Sequence, residues 1–180
     1  MPVLFAARLS YMKVKRCART AIEAVSRGCA TQRAPKAGHS MTSLDQIIDD
    51  FAFLDEWEDR YRYVIELGKN LPEMPEASRT SENKVQGCAS QVWLVTHATG
   101  DTEDPLLTFE GESDAHIVRG LVAIVLAIFS GKRASEITRT DALDIFGKIG
   151  LIEHLSSQRA NGLRSMIRRI KSEAEGRLPA

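Results

Sequence analysis

The sequence predicts an α+β fold in which a small antiparallel three-stranded sheet is packed by helices. Three observations support this: a helical pattern in the first third of the domain, three short β-rich segments in the middle, and a helical remainder. Helices, then strands, then helices again are typical of a sheet covered on one side. With 180 residues and 43% hydrophobic content, the chain is long enough for one domain with its own core.

The first predicted helix begins at Ser43, because Ser43 and Gln46 have the spacing of a capping box. Apolar residues follow at helical spacing and form one face: Leu44, Ile47, Ile48, Phe51 and Leu54. A second set continues this period after a break near Asp55: Trp57, Tyr61, Val64, Ile65 and Gly68. Pro72 and Pro75 then end the helical region, since proline lacks the amide hydrogen that a helix needs.

Three segments are predicted as strands because they are rich in β-branched and aromatic residues. They cover residues 84–86, 91–96 and 106–110, and residues 87–90 join the first two. Short joins between sequential strands predict an antiparallel meander.

The remainder is predicted to be helical. Residues 115–129 form a helix that is buried on nearly all sides, and we expect Ser113 or Asp114 to cap it. Its apolar run of nine residues, 121–129, is shorter than the roughly 20 that span a bilayer. A last helix begins at Ser156 or Ser157 and has one apolar face: Ala160, Leu163, Met166, Ile167 and Ile170.

Residues 1–40 are interpreted as a basic leader that is disordered, and residues 41–180 as the folded domain. Of 24 basic and 24 acidic residues, the leader holds eight basic and one acidic, which leaves the domain a net charge of −7. Such a domain disfavours nucleic acid as a partner. We favour Met41 as the true start, which predicts a cytoplasmic protein, over a transit peptide, which would make it organellar.

Cys88 is the only cysteine after residue 40, and it lies among small and polar residues. One sulfur can carry a group, but it cannot close an internal disulfide or cage a metal ion. A loop of this kind is expected to present the thiol to solvent, where its thiolate can attack sulfur on another molecule. The alternative is that Cys88 is a small hydrophobic residue that fills space in the core.

Five segments of the chain match motifs of a known protein family. They are Ile-Glu-Leu-Gly at residues 65–68, Leu-Pro at 71–72, Asn-Lys-Val-Gln-Gly-Cys-Ala-Ser-Gln-Val-Trp at 83–93, Gly-Glu-Ser-Asp-Ala-His-Ile-Val-Arg-Gly-Leu at 111–121 and Leu-Ser-Ser-Gln-Arg-Ala-Asn-Gly-Leu at 155–163. Together they closely resemble the SufE family of sulfur acceptor proteins, over residues 41–175. The segment around Cys88 is the specific one.

The resemblance implies a partner for a pyridoxal-phosphate cysteine desulfurase of the SufS or CsdA type. Cys88 would take sulfane sulfur as a persulfide, stimulate the desulfurase and pass the sulfur to an iron–sulfur scaffold complex of the SufBCD type. The implied fold is related to the IscU-like scaffolds, but one cysteine favours a carrier over a cluster-holding scaffold. We expect a sulfurtransferase component without a cofactor, a metal or independent turnover, and with no membrane partner; a homodimer is left open.

Other residues are candidates for support. Gly87 and Ser90 belong to the persulfide loop, and Arg159 could stabilise a thiolate or persulfide together with the free amides of the last helix. The alternative for Arg159 is a solvated surface arginine. Asp114 is favoured as a helix cap, and Arg119 would pair with it or contact the desulfurase; both are candidates for partner docking.

Two other functions are left open. One is a binding module that activates a desulfurase by docking, with Cys88 merely packed; the other is an acceptor that delivers sulfur to a different pathway. No general base is assigned, because His97 is too remote along the chain from Cys88. A loop that tucks Cys88 toward apolar neighbours at rest and swings out on docking would protect a persulfide.

Overall fold

The computed structural model describes residues 42–179, and this part of the chain has the predicted α+β architecture. In chain order its elements are α1 (Leu44–Phe53), α2 (Trp57–Lys69), β1 (Val92–Thr99), β2 (Leu106–Ser113), α3 (His116–Phe129), β3 (Lys132–Arg133), α4 (Ala134–Arg139), α5 (Ala142–Lys148) and α6 (Ser157–Glu175). Short 3₁₀ turns lie at Glu76–Ser78 and Ile152–His154. The predictions for the leader and for Met41 fall outside the described residues.

Ser43 caps α1 as predicted, since its hydroxyl accepts a hydrogen bond from the amide of Gln46 at 3.2 Å. The Gln46 side chain does not return to the cap and donates instead to Asp50 at 2.7 Å. Ile47 and Phe51 are buried on the inner face of α1. The Ser43 cap and the buried positions Ile47 and Phe51 are therefore confirmed, whereas the capping box is not completed by Gln46 and Ile48 of the predicted apolar face is exposed.

The sheet has the order β1-β2-β3 and is antiparallel throughout. The predicted strand at residues 84–86 is wrong, because only Lys84 forms an isolated bridge there, with Trp93. The turn at Gly87 leads the chain out of the sheet before a ladder can form. The third strand is instead Lys132–Arg133, which follows α3 and pairs with the start of β2.

Helix α3 is the centre of the core and packs against β2, α2 and α6. The apolar run 121–129 lies inside it, and all of these residues except Ala127 are buried. The helix begins at His116, one residue later than predicted. Within residues 42–179, no helix combines the length and apolar character needed to cross a bilayer.

Helices α2 and α3 approach each other closely at two glycines. A Cβ on Gly120 would collide with the carbonyl oxygen of Val64, and a Cβ on Gly68 would lie 2.7 Å from the amide nitrogen of Gly120. Only residues without a side chain let the two backbones come this near. The contact fixes α3, which forms part of the surroundings of Cys88.

The predicted cap of α3 is wrong. The N-cap residue is Ala115, whose own amide donates to the Ser113 hydroxyl at 3.3 Å, but no side chain bonds to the amides of the first turn. The hydroxyl of Ser113 donates to the carbonyl oxygen of Gln91 at 2.9 Å, and the carboxylate of Asp114 accepts from the amide of Gln91 at 3.0 Å. These side chains therefore hold the end of the segment that carries Cys88, because the turn between β2 and α3 folds back beside it.

Candidate functional site

Cys88 lies in the loop 86–90, which we call the Cys88 loop. Backbone hydrogen bonds fix the chain on both sides of it, since the amide of Val85 donates to the carbonyl of Val92 and the amide of Leu94 donates to the carbonyl of Asn83, both at 2.8 Å. Gly87 adopts a φ of +85°, which residues with a side chain rarely tolerate. The loop therefore makes a sharp turn between two fixed ends.

The Cys88 thiol is half-buried against α6. Its Sγ lies 3.6 Å from the carbonyl oxygen of Gly162 and donates a weak hydrogen bond to it. A Cβ on Gly162 would lie 3.2 Å from Sγ, so the missing side chain makes room for the thiol. The expectation that the loop presents the thiol to solvent is wrong for this state, because the loop folds inward onto the helix.

A cavity of about 340 Å³ lies beside the thiol. Its apolar wall comes from α3 and α6 and consists of Val118, Leu121, Leu163 and Met166. The loop residue Ser90 lines the cavity too, and Ser156 and Arg159 lie on its polar side. The space is large enough to hold an added sulfur atom next to Cys88.

The start of α6 borders the same cavity. Ser156 caps the helix as predicted, because its hydroxyl accepts from the amide of Arg159 at 3.5 Å. The exposed side chain of Arg159 lines the cavity together with Cys88. A guanidinium and the positive end of a helix dipole both favour a nearby anion. Whether Arg159 acts on the sulfur stays a prediction.

Burial raises the pKa of the Cys88 thiol above its ordinary value. The cause is desolvation, which disfavours the charged thiolate. The hydrogen bond to Gly162 also favours the protonated form, since only the thiol can donate. Both effects favour the neutral thiol over the thiolate, and the thiol is less nucleophilic and less readily oxidised.

We expect the rate of alkylation of Cys88 by iodoacetamide to rise with pH, with a midpoint above that of the same cysteine in the urea-unfolded chain. The sign follows from the raised pKa, because a higher pH is then needed to form the thiolate. Peptide mass spectrometry separates Cys88 from Cys17 and Cys29. A midpoint at or below the unfolded value would contradict the protonated resting state.

The sequence model of the SufE family, described as an Fe-S metabolism associated domain, matches residues 45–174. The chain belongs to the SufE family. The matched region includes the Cys88 loop, the cavity and all but the last residue of α6. Membership of the SufE family connects the chain with iron–sulfur metabolism and implies interaction with a cysteine desulfurase in general.

Relatives of this SufE-family chain include two proteins from rhizobia. An uncharacterized SufE-like protein of Rhizobium meliloti (strain 1021) is 98% identical over 140 residues, which cover 78% of this chain and 100% of that protein. A SufE-like protein of Rhizobium etli, also uncharacterized, is 73% identical over 140 residues, covering 78% of this chain and 95% of that protein.

A solved structure is similar as well. The solution structure of a hypothetical protein from Thermus thermophilus has a TM-score of 0.57 and 17% sequence identity. The likeness covers 74% of this chain and 93% of that chain. At this identity it supports the fold alone.

Both predicted docking residues of the SufE-family domain make contacts within the chain. Asp114 accepts from the amide of Gln91, as described above. Arg119 pairs with Glu112 at 2.9 Å and donates to the carbonyl of Leu71 at 2.9 Å, so its expected pairing with Asp114 is wrong. Contact with a partner stays a prediction for both residues.

Sequence reasoning missed two residues near the site, Gly162 and Glu112. A glycine inside a helix costs roughly 1 kcal/mol relative to alanine, so Gly162 did carry a signal for close packing. Glu112 carried none, because acidic residues are usually exposed and it lies beyond the predicted strand 106–110. His97 pairs with Glu110 at 3.2 Å toward the hairpin end of the sheet, away from the Cys88 loop.

No group of three or more His, Cys, Asp or Glu side chains within residues 42–179 is arranged to hold a metal ion.

Proposed function

We propose that Cys88 accepts sulfane sulfur from a pyridoxal-phosphate cysteine desulfurase of the SufS or CsdA type as a persulfide. Acceptance stimulates the desulfurase, and the sulfur then passes to an iron–sulfur scaffold complex of the SufBCD type. The observation that carries this proposal is the position of Cys88, the one cysteine within the described residues. It lies inside the region matched by the SufE family and borders a cavity with an arginine at its edge.

The chemistry of acceptance is a thiol exchange on sulfur. Cys88 loses its proton, and the thiolate attacks the outer sulfur of the desulfurase persulfide. The S–S bond of the donor breaks, and its electron pair stays on the desulfurase cysteine while a new S–S bond forms on Cys88. Sulfur changes carrier without any oxidant or reductant, and delivery to an acceptor thiol repeats the same exchange.

Acceptance requires the Cys88 loop to turn outward, because the thiol is half-buried at rest. Rotation at Gly87 and the small side chains of Ala89 and Ser90 support such a movement. After loading, the cavity beside α6 offers apolar neighbours for the outer sulfur and Arg159 for its negative charge. This arrangement would shield a reactive persulfide between the donor and the acceptor.

The half-burial of Cys88 also supports a second function. In that case the chain binds the desulfurase and activates it by docking, and the thiol only packs against Gly162. The two functions differ in one respect, which is whether sulfur is ever bound to Cys88.

Incubation with a cysteine desulfurase and cysteine tests this difference. We expect the intact mass of the chain to increase by one sulfur atom, and peptide mapping to locate it on Cys88. Dithiothreitol should remove the added mass, and omission of cysteine should prevent it. If the desulfurase turns over but the Cys88 peptide never gains sulfur, the carrier function is contradicted.

A further inference from the structure

Glu112 and Ser113 are the two buried residues with polar or charged side chains in residues 42–179, and Glu112 is only 3% exposed. A buried carboxylate is costly unless it is paired and hydrogen-bonded. The groups that bond to the Glu112 carboxylate therefore show which parts of the fold its charge holds in place. They lie in two places: the region from Ser113 to Arg119, where β2 passes into α3, and residues 74–79, which precede the Cys88 loop in the chain.

One carboxylate oxygen of Glu112 is connected to the end of the loop through the turn between β2 and α3. Its Oε1 accepts from Arg119 at 2.9 Å and from the amide of Ser113 at 3.2 Å, which fixes the turn between β2 and α3. The same turn also binds Gln91. The carbonyl of Gln91 accepts from the Ser113 hydroxyl, and its amide donates to the Asp114 carboxylate. Gln91 is the residue that follows the loop.

The other oxygen is connected to the start of the loop through Arg79 and Trp93. Oε2 of Glu112 accepts from the amide of Met74 at 3.3 Å and lies 3.8 Å from Nη2 of Arg79. The guanidinium of Arg79 lies 5.9 Å from the ring centroid of Trp93. Trp93 is the cross-strand partner of Glu112 and also forms the bridge to Lys84, just before the loop.

Both ends of the loop are thus connected to one buried carboxylate. We infer that Glu112 is a positioning residue for Cys88, which holds the two ends of the loop in the geometry that packs the thiol on α6. Removing its charge releases both arginines and allows the loop to open. This inference rests on the proposed role of Cys88 and names the group that controls its exposure.

The variant Glu112→Gln tests this role, because it keeps the shape of the side chain while removing the charge, and its single oxygen can accept from only one of the two amides, Ser113 or Met74. We expect the alkylation rate of Cys88 by iodoacetamide to rise about fivefold or more at fixed pH, as charged hydrogen bonds are stronger than neutral ones. The rate is read on the Cys88 peptide of the full chain by mass spectrometry.

The control must lower stability without touching the loop. Asp104→Ala serves, since Asp104 accepts two hydrogen bonds from Ser135, at 2.9 and 2.8 Å, at the hairpin end of the sheet away from Gln91. We expect its alkylation rate without urea to equal that of the unchanged chain.

Low concentrations of urea separate loop opening from global unfolding. Opening of the loop exposes little surface, so the faster rate of Glu112→Gln should hardly change with urea, whereas reaction through global unfolding rises steeply. The inference is overturned if Glu112→Gln reacts at the rate of the unchanged chain, or if its increase has the steep urea dependence of global unfolding.

A milder variant covers the case in which Glu112→Gln does not fold. Arg79→Ala removes one partner of Glu112, and Arg79 is an exposed residue. We expect a smaller increase in the alkylation rate of Cys88 than in Glu112→Gln. An unchanged rate in that variant would then overturn the inference. Alkylation needs no desulfurase, so its result is independent of the sulfur-transfer experiment, and either proposal can fail without the other.

Discussion

Replacing Cys88 with serine is expected to abolish sulfur uptake and to reduce cysteine turnover to the rate of the desulfurase alone. Serine is close to cysteine in size, so the loop and its contact with Gly162 should be kept. A hydroxyl cannot take over the sulfur chemistry of a thiolate, and no persulfide can form. The measurements are alanine production at a fixed desulfurase concentration and the affinity of the variant for the desulfurase.

The leader supplies a matched control for this experiment. A Cys17→Ser/Cys29→Ser double variant removes two thiols and leaves Cys88, and we expect full stimulation from it. If Cys88→Ser still binds and still stimulates, the docking function is correct and the carrier function is not. Binding without stimulation is the result that the carrier function requires.

Replacing Gly120 with alanine is expected to lower the free energy of unfolding by about 3 kcal/mol, the upper part of the usual range for overpacking. The added methyl group would meet the backbone of Val64 rather than a side chain that can rotate away. The helices α2 and α3 must then separate, which loosens the packing of α3 at the centre of the core. Urea denaturation followed by circular dichroism measures the loss.

Gly147→Ala is the matched control, because Gly147 lies in the helix α5 and, apart from its chain neighbours and the backbone of its own helix, no atom lies within 4 Å of the added Cβ. There we expect a stabilisation of up to about 1 kcal/mol from helix propensity. A loss below about 1 kcal/mol for Gly120→Ala would show that α2 and α3 separate easily and that the close contact is not required.

Features that depend on neighbouring residues could be predicted from the sequence. The caps Ser43 and Ser156 bond to amides three residues away, and α3 is recognised from consecutive apolar residues. The segment around Cys88 could be recognised as specific for the same reason, since it is continuous in the chain. Local chemistry of this kind needs no knowledge of the rest of the fold.

Features that depend on residues far away in the chain could not be predicted from the sequence. Ser113 and Asp114 have the chemistry of helix caps, but they bond to Gln91, 22 and 23 residues away. The strand Lys132–Arg133 has no β-rich pattern and forms only because α3 returns the chain to the edge of β2. In both cases a hydrogen bond to a distant backbone segment, rather than local propensity, determined the structure.

The sequence by itself determined that the chain is an α+β protein, that it resembles the SufE family and that one cysteine of its domain could carry sulfur. The tertiary structure decided the state of that sulfur, because Cys88 packs against Gly162, which lies 74 residues further along the chain. It also decided that Glu112 is buried, with contacts to Met74 and Arg79 on one side and to Ser113 and Arg119 on the other. Burial and desolvation arise where distant segments meet, and they set the protonation and exposure of the thiol.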